Sequence, residues 1–402
     1  MKYFRTAEMI LNRFKNLSPV KDTDKGTFFI AVSQFGIAFS FNCIMSFMPF
    51  YIFQISPYTS RVTMLWIGVI MGATSLIAAV AAPFWGNLTS RFSPKALYLR
   101  GIICNGLIFL LMGFTSSLQI ILLLRIIQGA LGGISTIGLV IISSSSRKEC
   151  IPKNISLFQN AMTAGQLAGP PLGAYAVTLF GYHAPFVFSF LIASVSFAFC
   201  FIYVSDIPVL KKERSASASL RKGIFWGWVL SIAATVNLTF LPSILPNVLE
   251  DFQVTGVTAI NYAGTIMMAY TASAMLGNHI MGSISFRIGF TKLIKIACIM
   301  TAVLQVALCF TPNVLSFTLV RMLQTGFIAA VFPLVISAFA GETSGGMLGF
   351  LNSARFIGNA LGPLMGTTVL AYSNFFSLSM IIAVLSIACL GGFLWSRRMP
   401  VG

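Results

Sequence analysis

The sequence predicts an all-α membrane protein of twelve transmembrane helices arranged as two six-helix pseudo-symmetric halves. Three observations predict it. Of the 402 residues, 57% are hydrophobic and 9% are charged, whereas soluble domains carry about 25% charged residues. A chain so poor in charge cannot cover a surface that faces water. Apolar runs of bilayer-crossing length, about 20 residues, recur along the chain between short polar breaks. Finally, motifs of the first half return in the second at nearly the same displacement.

The first six runs lie at about 28–52, 64–86, 97–115, 118–143, 156–180 and 184–204. The second six lie at about 224–248, 260–281, 292–311, 313–338, 347–371 and 374–395. Twelve spans of about 20 residues use roughly 240, which leaves about a dozen for each connection or tail and no room for a soluble domain. The first run is too long for a secretory signal and lacks a small-residue cleavage site. Ahead of it, MKYFRTAEMILNRFKN sets Met9, Ile10 and Phe14 among basic residues. That pattern suits either a short interfacial helix or a disordered basic tail.

The basic residues test this threading. On one side fall Lys2, Arg5, Arg13, Lys15, Lys21 and Lys25 before span 1, then Arg91, Lys95 and Arg100 after span 2. Arg147, Lys148 and Lys153 follow span 4, and Lys211, Lys212, Arg214, Arg221 and Lys222 follow span 6. Arg287, Lys292 and Lys295 follow span 8, and Arg397 and Arg398 follow span 12. The opposite side holds only Arg61, and Arg125, Arg321 and Arg355 lie inside spans. The positive-inside rule therefore puts both termini in the cytoplasm. The net charge of +17 thus orients a membrane protein, and no nucleic-acid partner is expected.

Gly86-Asn-Leu-Thr-Ser-Arg91 returns as Gly282-Ser-Ile-Ser-Phe-Arg287, and Arg125-Ile-Ile-Gln128 returns as Arg321-Met-Leu-Gln324, each displaced by 196 residues. Gly169-Pro170 with Gly173 returns as Gly362-Pro363 with Gly366, displaced by 193. The expected organisation is an N-terminal half at 1–204 with a tail at 1–27, a basic linker at 205–222, and a C-terminal half at 223–402. Parallel repeats of this kind favour a binding site at the midplane between halves that rock against each other.

These residues carry a resemblance to the major facilitator superfamily over almost the full chain. Pro83-Phe84-Trp85-Gly86 leading to Arg91 and Lys95 resembles the family's loop motif after span 2. Arg125-xx-Gln128-Gly129 resembles its span 4 motif, and Gly165-xxx-Gly169-Pro170-xx-Gly173 the span 5 motif associated with antiporters. NSARFIGNALGPLMG, from Asn352 to Gly366, is similar to span 11 of the bacterial multidrug-exporter branch. One departure stands out: the loop motif's usual aspartate is Ser90 here and Phe286 in the second half. Ser90 can cap a helix through its hydroxyl but cannot form an ion pair, so a looser cytoplasmic lock is expected.

The polar residues within the spans are few enough to weigh singly. None of the nine acids (Glu8, Asp22, Asp24, Glu149, Asp206, Glu213, Glu250, Asp251, Glu342) falls inside a predicted span. A proton-coupled carrier usually places a protonatable group in its pathway. His279, towards the cytoplasmic end of span 8, is the candidate for coupling, against a packing role. Each membrane arginine costs about 2.5–3.5 kcal/mol at a span centre, so Arg125, Arg321 and Arg355 need partners. Either they pack helices, or they face a cavity and attract anionic groups. By the resemblance, Arg125 sits on a cavity-lining helix, and Asn42, Gln128, Asn237 and Gln324 lie in the four cavity-lining spans. Gly165, Gly169 and Gly173, and likewise Gly358, Gly362 and Gly366, recur every four residues. They are read as close-packing faces at the interface between the halves, bent locally by Pro170 and Pro363.

The seven cysteines show no metal spacing and are read as small buried hydrophobes; no metal, cofactor or catalytic residue is expected. No Walker motif supports a pump driven by ATP. The resemblance implies a secondary transporter of the inner membrane, not an enzyme, that binds a small molecule in the lipid bilayer and works as a monomer, with a coupling ion open. The antiporter-like motif favours export, and the unpaired arginines favour an anionic or zwitterionic metabolite or siderophore-like compound. The alternatives are a multidrug antiporter for amphiphilic drugs and a non-transporting sensor on a transporter fold.

Overall fold

In lipid every backbone N–H and C=O must find its partner within the protein, so an apolar run of bilayer length folds as a helix. A computed structural model of the chain describes residues 25–88, 91–146, 150–205, 222–339 and 345–398. The basic tail, Ser90 and most of the 205–222 linker lie outside the described residues.

The N-terminal half contains α1 (Lys25–Ile55), α2 (Ser60–Leu88), α3 (Pro94–Gly113), α4 (Leu118–Ala130), α5 (Ile134–Ser145), α6 (Ile151–Phe180) and α7 (Ala184–Tyr203). The C-terminal half contains α8 (Lys222–Thr239), α9 (Leu241–Asp251), α10 (Gly256–Ile288), α11 (Phe290–Ala307), α12 (Val314–Ile328), α13 (Val331–Phe339), α14 (Gly345–Tyr372) and α15 (Phe375–Arg398). Three pairs are broken spans. Residues 131–133 separate α4 from α5, residues 329–330 separate α12 from α13, and α8 bends into α9 by 41°. Counting each run through its break, eight are long and apolar enough to cross a membrane, and nine with the bent pair. The remaining three, α6, α10 and α14, have 30, 33 and 28 residues. At about 1.5 Å per residue they also exceed a bilayer core. The described residues thus form twelve helical spans, and the chain is a multi-pass membrane protein.

The odd-numbered connections bring Arg61 to one end of the bundle, and the even-numbered ones bring Arg91, Lys95, Arg287, Lys292 and Arg397 to the other. We call these the Arg61 end and the basic end. At the basic end, Lys95 Nζ donates 3.0 Å to the Phe201 carbonyl, and Arg397 Nη2 donates 2.9 Å to that of Ala338. Each cation holds two helices of its own half.

The small-residue faces do not pack where the sequence suggests. A methyl group on Gly165, Gly169 or Gly173 would overlap the α1 backbone around Phe35, Phe39 and Cys43. On Gly358 or Gly362 it would overlap α8 at Thr235 and Thr239. Both faces are therefore tight seams inside one half. The interface between halves uses other glycines: Gly72 of α2 lies against Ala360, and Gly264 of α10 against Pro170 and Ala174. A run of glycines shows that some backbone comes close, and here that backbone belongs to the same half. Pro170 and Pro363 do reach the interface, since their carbonyls face Gly264 and Gly68.

Candidate functional site

The repeated Arg-xx-Gln motif builds the same polar cluster in each half. One helical turn separates the two residues, which puts them on one face. Arg125 Nη1 donates 2.9 Å to Gln128 Oε1, and Arg321 Nη1 donates 2.5 Å to Gln324 Oε1. Each glutamine then passes a hydrogen bond to an amide of the preceding span. Gln128 Nε2 donates to Asn105 Oδ1 at 3.0 Å, and Gln324 Nε2 to Gln305 Oε1. Each guanidinium lies over an aromatic ring of the half's first span: Arg125 over Phe41 at 5.6 Å, Arg321 over Phe240 at 4.9 Å. Both arginines are 0% exposed. With no carboxylate described near them, amide dipoles and ring faces carry the charge.

The two clusters differ in what closes them. Arg321 Nη2 also donates to the Asn237 carbonyl at 2.8 Å, and Asn237 Oδ1 accepts from Gln324 at 3.2 Å. Asn237 and Gln305 tie on to Ser386 and Ser379 of α15, so the C-terminal cluster is sealed. Arg125 has only the Met45 sulfur at 3.0 Å as its second acceptor, and a thioether accepts weakly. Beyond Gln128 and Phe41 the N-terminal cluster opens on a cavity of about 280 Å³.

Both halves line that cavity. Asn42, Gln128, Thr74 and Asn105 come from the N-terminal half, and Phe356 and Asn359 come from α14 of the other. Gln166 of α6 and Asn359 stand 193 residues apart, the displacement of the glycine-proline motif. Each precedes a proline by one turn, and the missing N–H leaves its carbonyl without a helical partner. Side chains lining the cavity are amides, hydroxyls, aromatics, aliphatics and the Met162 thioether; among the described residues none is charged. Arg125 stands behind the wall, and Asn237, Arg321 and Gln324 lie in the sealed cluster. Arg355 is exposed, with its guanidinium 5.4 Å from the centre of the Phe332 ring, and His279 is exposed on α10. Gly86 lies in α2 and Arg91 is exposed just beyond it.

The cavity sits between the midplane and the basic end, behind a seal at the Arg61 end. Among the described residues the hydrogen bonds that cross between halves lie in that seal. Arg61 Nε donates to the Ala371 carbonyl, and Thr178 Oγ1 to Asn261 Oδ1, both at 3.0 Å. Gln34, Asn105, Gln166, Asn359 and Gln305 escaped the sequence reading. The shared displacement of Gln166 and Asn359 was the one signal that pointed to any of them.

Two pseudo-equivalent halves that seal a central cavity from one side have the build of a solute carrier. The pattern that defines the Major Facilitator Superfamily matches residues 30–236, more than half of the chain. The chain belongs to the Major Facilitator Superfamily. As a member it is a transporter and not an enzyme. The multidrug resistance protein MdtG of Klebsiella pneumoniae is 25% identical over 356 residues, covering 86% of each chain. Two solved structures of the superfamily share the fold. The human organic anion transporter MFSD10 has a TM-score of 0.68 at 16% identity, covering 92% of this chain and 99% of its own. The nucleoside transporter NupG has a TM-score of 0.75 at 16% identity, covering 93% and 100%.

Proposed function

We propose that this superfamily member exports a small anionic or zwitterionic organic solute across the inner membrane by alternating access, with its basic end in the cytoplasm. The observation that carries the reading is the central cavity, lined by both halves and sealed at the Arg61 end by the hydrogen bonds that cross between halves among the described residues. A site built from two bodies changes its exposure when the bodies rock, and this arrangement is the one that loads from the cytoplasm. The basic end faces inward by the positive-inside rule. The N-terminal half (1–204) and C-terminal half (223–402) are the rocking bodies, with the basic stretch 205–222 as the tether.

Asn42, Gln128, Gln166 and Asn359 are the solute-contacting residues of this reading, because they line the cavity. Arg125 supports Gln128 from behind, and Arg321, Gln324 and Asn237 brace the opposite half. A second reading, efflux of amphiphilic drugs, rests on the resemblance to MdtG and on the rings of Phe41, Phe109 and Phe356 in the cavity wall.

The test is flux in proteoliposomes with a panel of labelled organic anions and cations, with and without imposed pH gradients. Net movement of an anion, faster when the basic end faces the loaded side, is the expected result. Binding without flux under every gradient overturns transport and leaves a sensor on a transporter fold. Movement of cations alone overturns the anionic reading.

A further inference from the structure

The break in span 4 carries a side-chain clamp on one of its sides. The chain leaves α4 at Ala130 and re-enters a helix at Ile134, and the two halves of the break are treated differently. The carbonyls that α4 leaves open are occupied: Trp85 Nε1 donates 2.7 Å to Ala130, and Arg100 Nη2 donates 3.1 Å to Leu131. Arg100 lies over the Trp85 ring at 3.5 Å, which locks the two donors together. No side chain caps α5 on the other side of the break. Its N-cap is Gly133, at φ +90°, a conformation that costs a side-chain-bearing residue. The first N–H groups of a helix have no partner within it, and Ile134, Ser135 and Thr136 all line the central cavity. At position 196 beyond Arg100 and Trp85 stand Ile296 and Met281, so the C-terminal half has no such clamp.

A second observation at the same place points to a ligand. Gln34 of α1 is 2% exposed and lines the cavity, and its Nε2 donates 3.0 Å to Ser135 Oγ. Its Oε1 has no partner. A hydroxyl both donates and accepts, so turning the amide over keeps its bond to Ser135 and frees two N–H donors. A buried amide with one end unpaired is costly unless something fills the gap.

We propose that the uncapped N-terminus of α5, with Gln34 and Ser135, is the anion-binding subsite of the transport cavity and takes a carboxylate or phosphoryl group of the solute. The proposal rests on the transporter reading and deepens it. Free N–H groups and the positive end of the helix dipole favour an anion there, close to the middle of the span. The anionic preference then comes from backbone donors rather than from Arg125, which stands behind the cavity wall. The Trp85–Arg100 clamp holds the break open by satisfying the carbonyls that would otherwise draw α4 and α5 into one helix.

Calorimetric titration of the purified full chain in detergent tests this, with benzoate, phenylphosphonate and benzamide as probes. The expected result is that both anions bind at least tenfold more tightly than benzamide, which matches benzoate in shape but lacks the charge. Gln34→Glu places a like charge at the subsite and is expected to weaken benzoate at least tenfold and to weaken benzamide less. Ser135→Asp ties a carboxylate to the second residue of α5. It is expected to abolish anion binding and to raise the melting temperature, because the tethered group takes the free N–H groups. Equal affinities for anion and amide, no response to any of the three probes, or anion binding unchanged in Ser135→Asp overturns the subsite. These measurements require no flux. Anion binding without transport would therefore sink the transporter reading and leave the subsite standing.

Discussion

Arg61 lies 5.1 Å from the centre of the Tyr372 ring while its Nε donates to the neighbouring Ala371 carbonyl at 3.0 Å. One is at the start of α2 and the other at the end of α14, so a single guanidinium caps a helix C-terminus across the two halves. A cation there also meets the negative end of the helix dipole. Arg61→Gln removes both contacts. At an exposed site the loss is about 0.5–1 kcal/mol, a two- to fivefold shift towards the state open at the Arg61 end. Spin labels on Thr59→Cys and Ser373→Cys report it as a larger population of long distances. Cys104, Cys150 and Cys309 are replaced by serine, and the four buried cysteines are kept. An unchanged distance distribution removes Arg61 from the seal.

Gly173 and Gly72 separate folding from rocking. A methyl on Gly173 overlaps the Cys43 carbonyl within one half, and a methyl on Gly72 comes within 2.7 Å of the Ala360 carbonyl of the other half. Gly173→Val should therefore destabilise the folded half by about 1–3 kcal/mol, as overpacking does, and lower the melting temperature by several degrees. Gly72→Val should change the melting temperature less and lengthen the Thr59–Ser373 label distance. The reverse pattern would return the Gly173 face to the interface between halves.

The two arginine–glutamine clusters show where sequence reading succeeds. Arg125-xx-Gln128 and Arg321-xx-Gln324 were legible because residues three apart on a helix meet whatever surrounds them, and both pairs do hydrogen-bond. The twelve spans were legible because hydropathy and backbone satisfaction are local. Glycine faces at 165–173 and 358–366 announce close packing but not its partner, which is a tertiary fact. Gln34 and Asn105 were invisible, since one amide in an apolar run has no period, and it is the packing of several helices that gives them a common cavity. His279 drew attention as a titratable group, yet it stands on an exposed face away from that cavity.

Arg125 and Arg321 should respond differently to the same change. Arg321→Gln leaves Gln324 Oε1 and the Asn237 carbonyl, both buried, without their donor, and each costs about 1–3 kcal/mol. Arg125→Gln releases one amide oxygen and a thioether, the weaker acceptor. Arg321→Gln is expected to lower the melting temperature more. Because Arg125 does not line the cavity, Arg125→Gln should change the transport of anionic and cationic solutes by the same factor. A selective loss of anion transport would mean that its charge reaches the solute directly.

Acid should favour the folded chain through Asp251. This carboxyl, at the end of α9, shares a surface pocket of about 340 Å³ with Arg61. Partial burial, and then the neighbouring Glu250, push its pKa above the ordinary value of 3.8. The folded state therefore binds the proton more tightly than the unfolded state. Stability from this group is fully present when both states are protonated, below 3.8, and is lost as the pH rises from there through the raised folded value. Asp251→Asn removes the titration while keeping the shape. Melting temperatures between pH 4 and 7 should decline less steeply in the variant than in the parent chain. Parallel curves would show that Asp251 titrates alike in both states, despite its position beside Glu250.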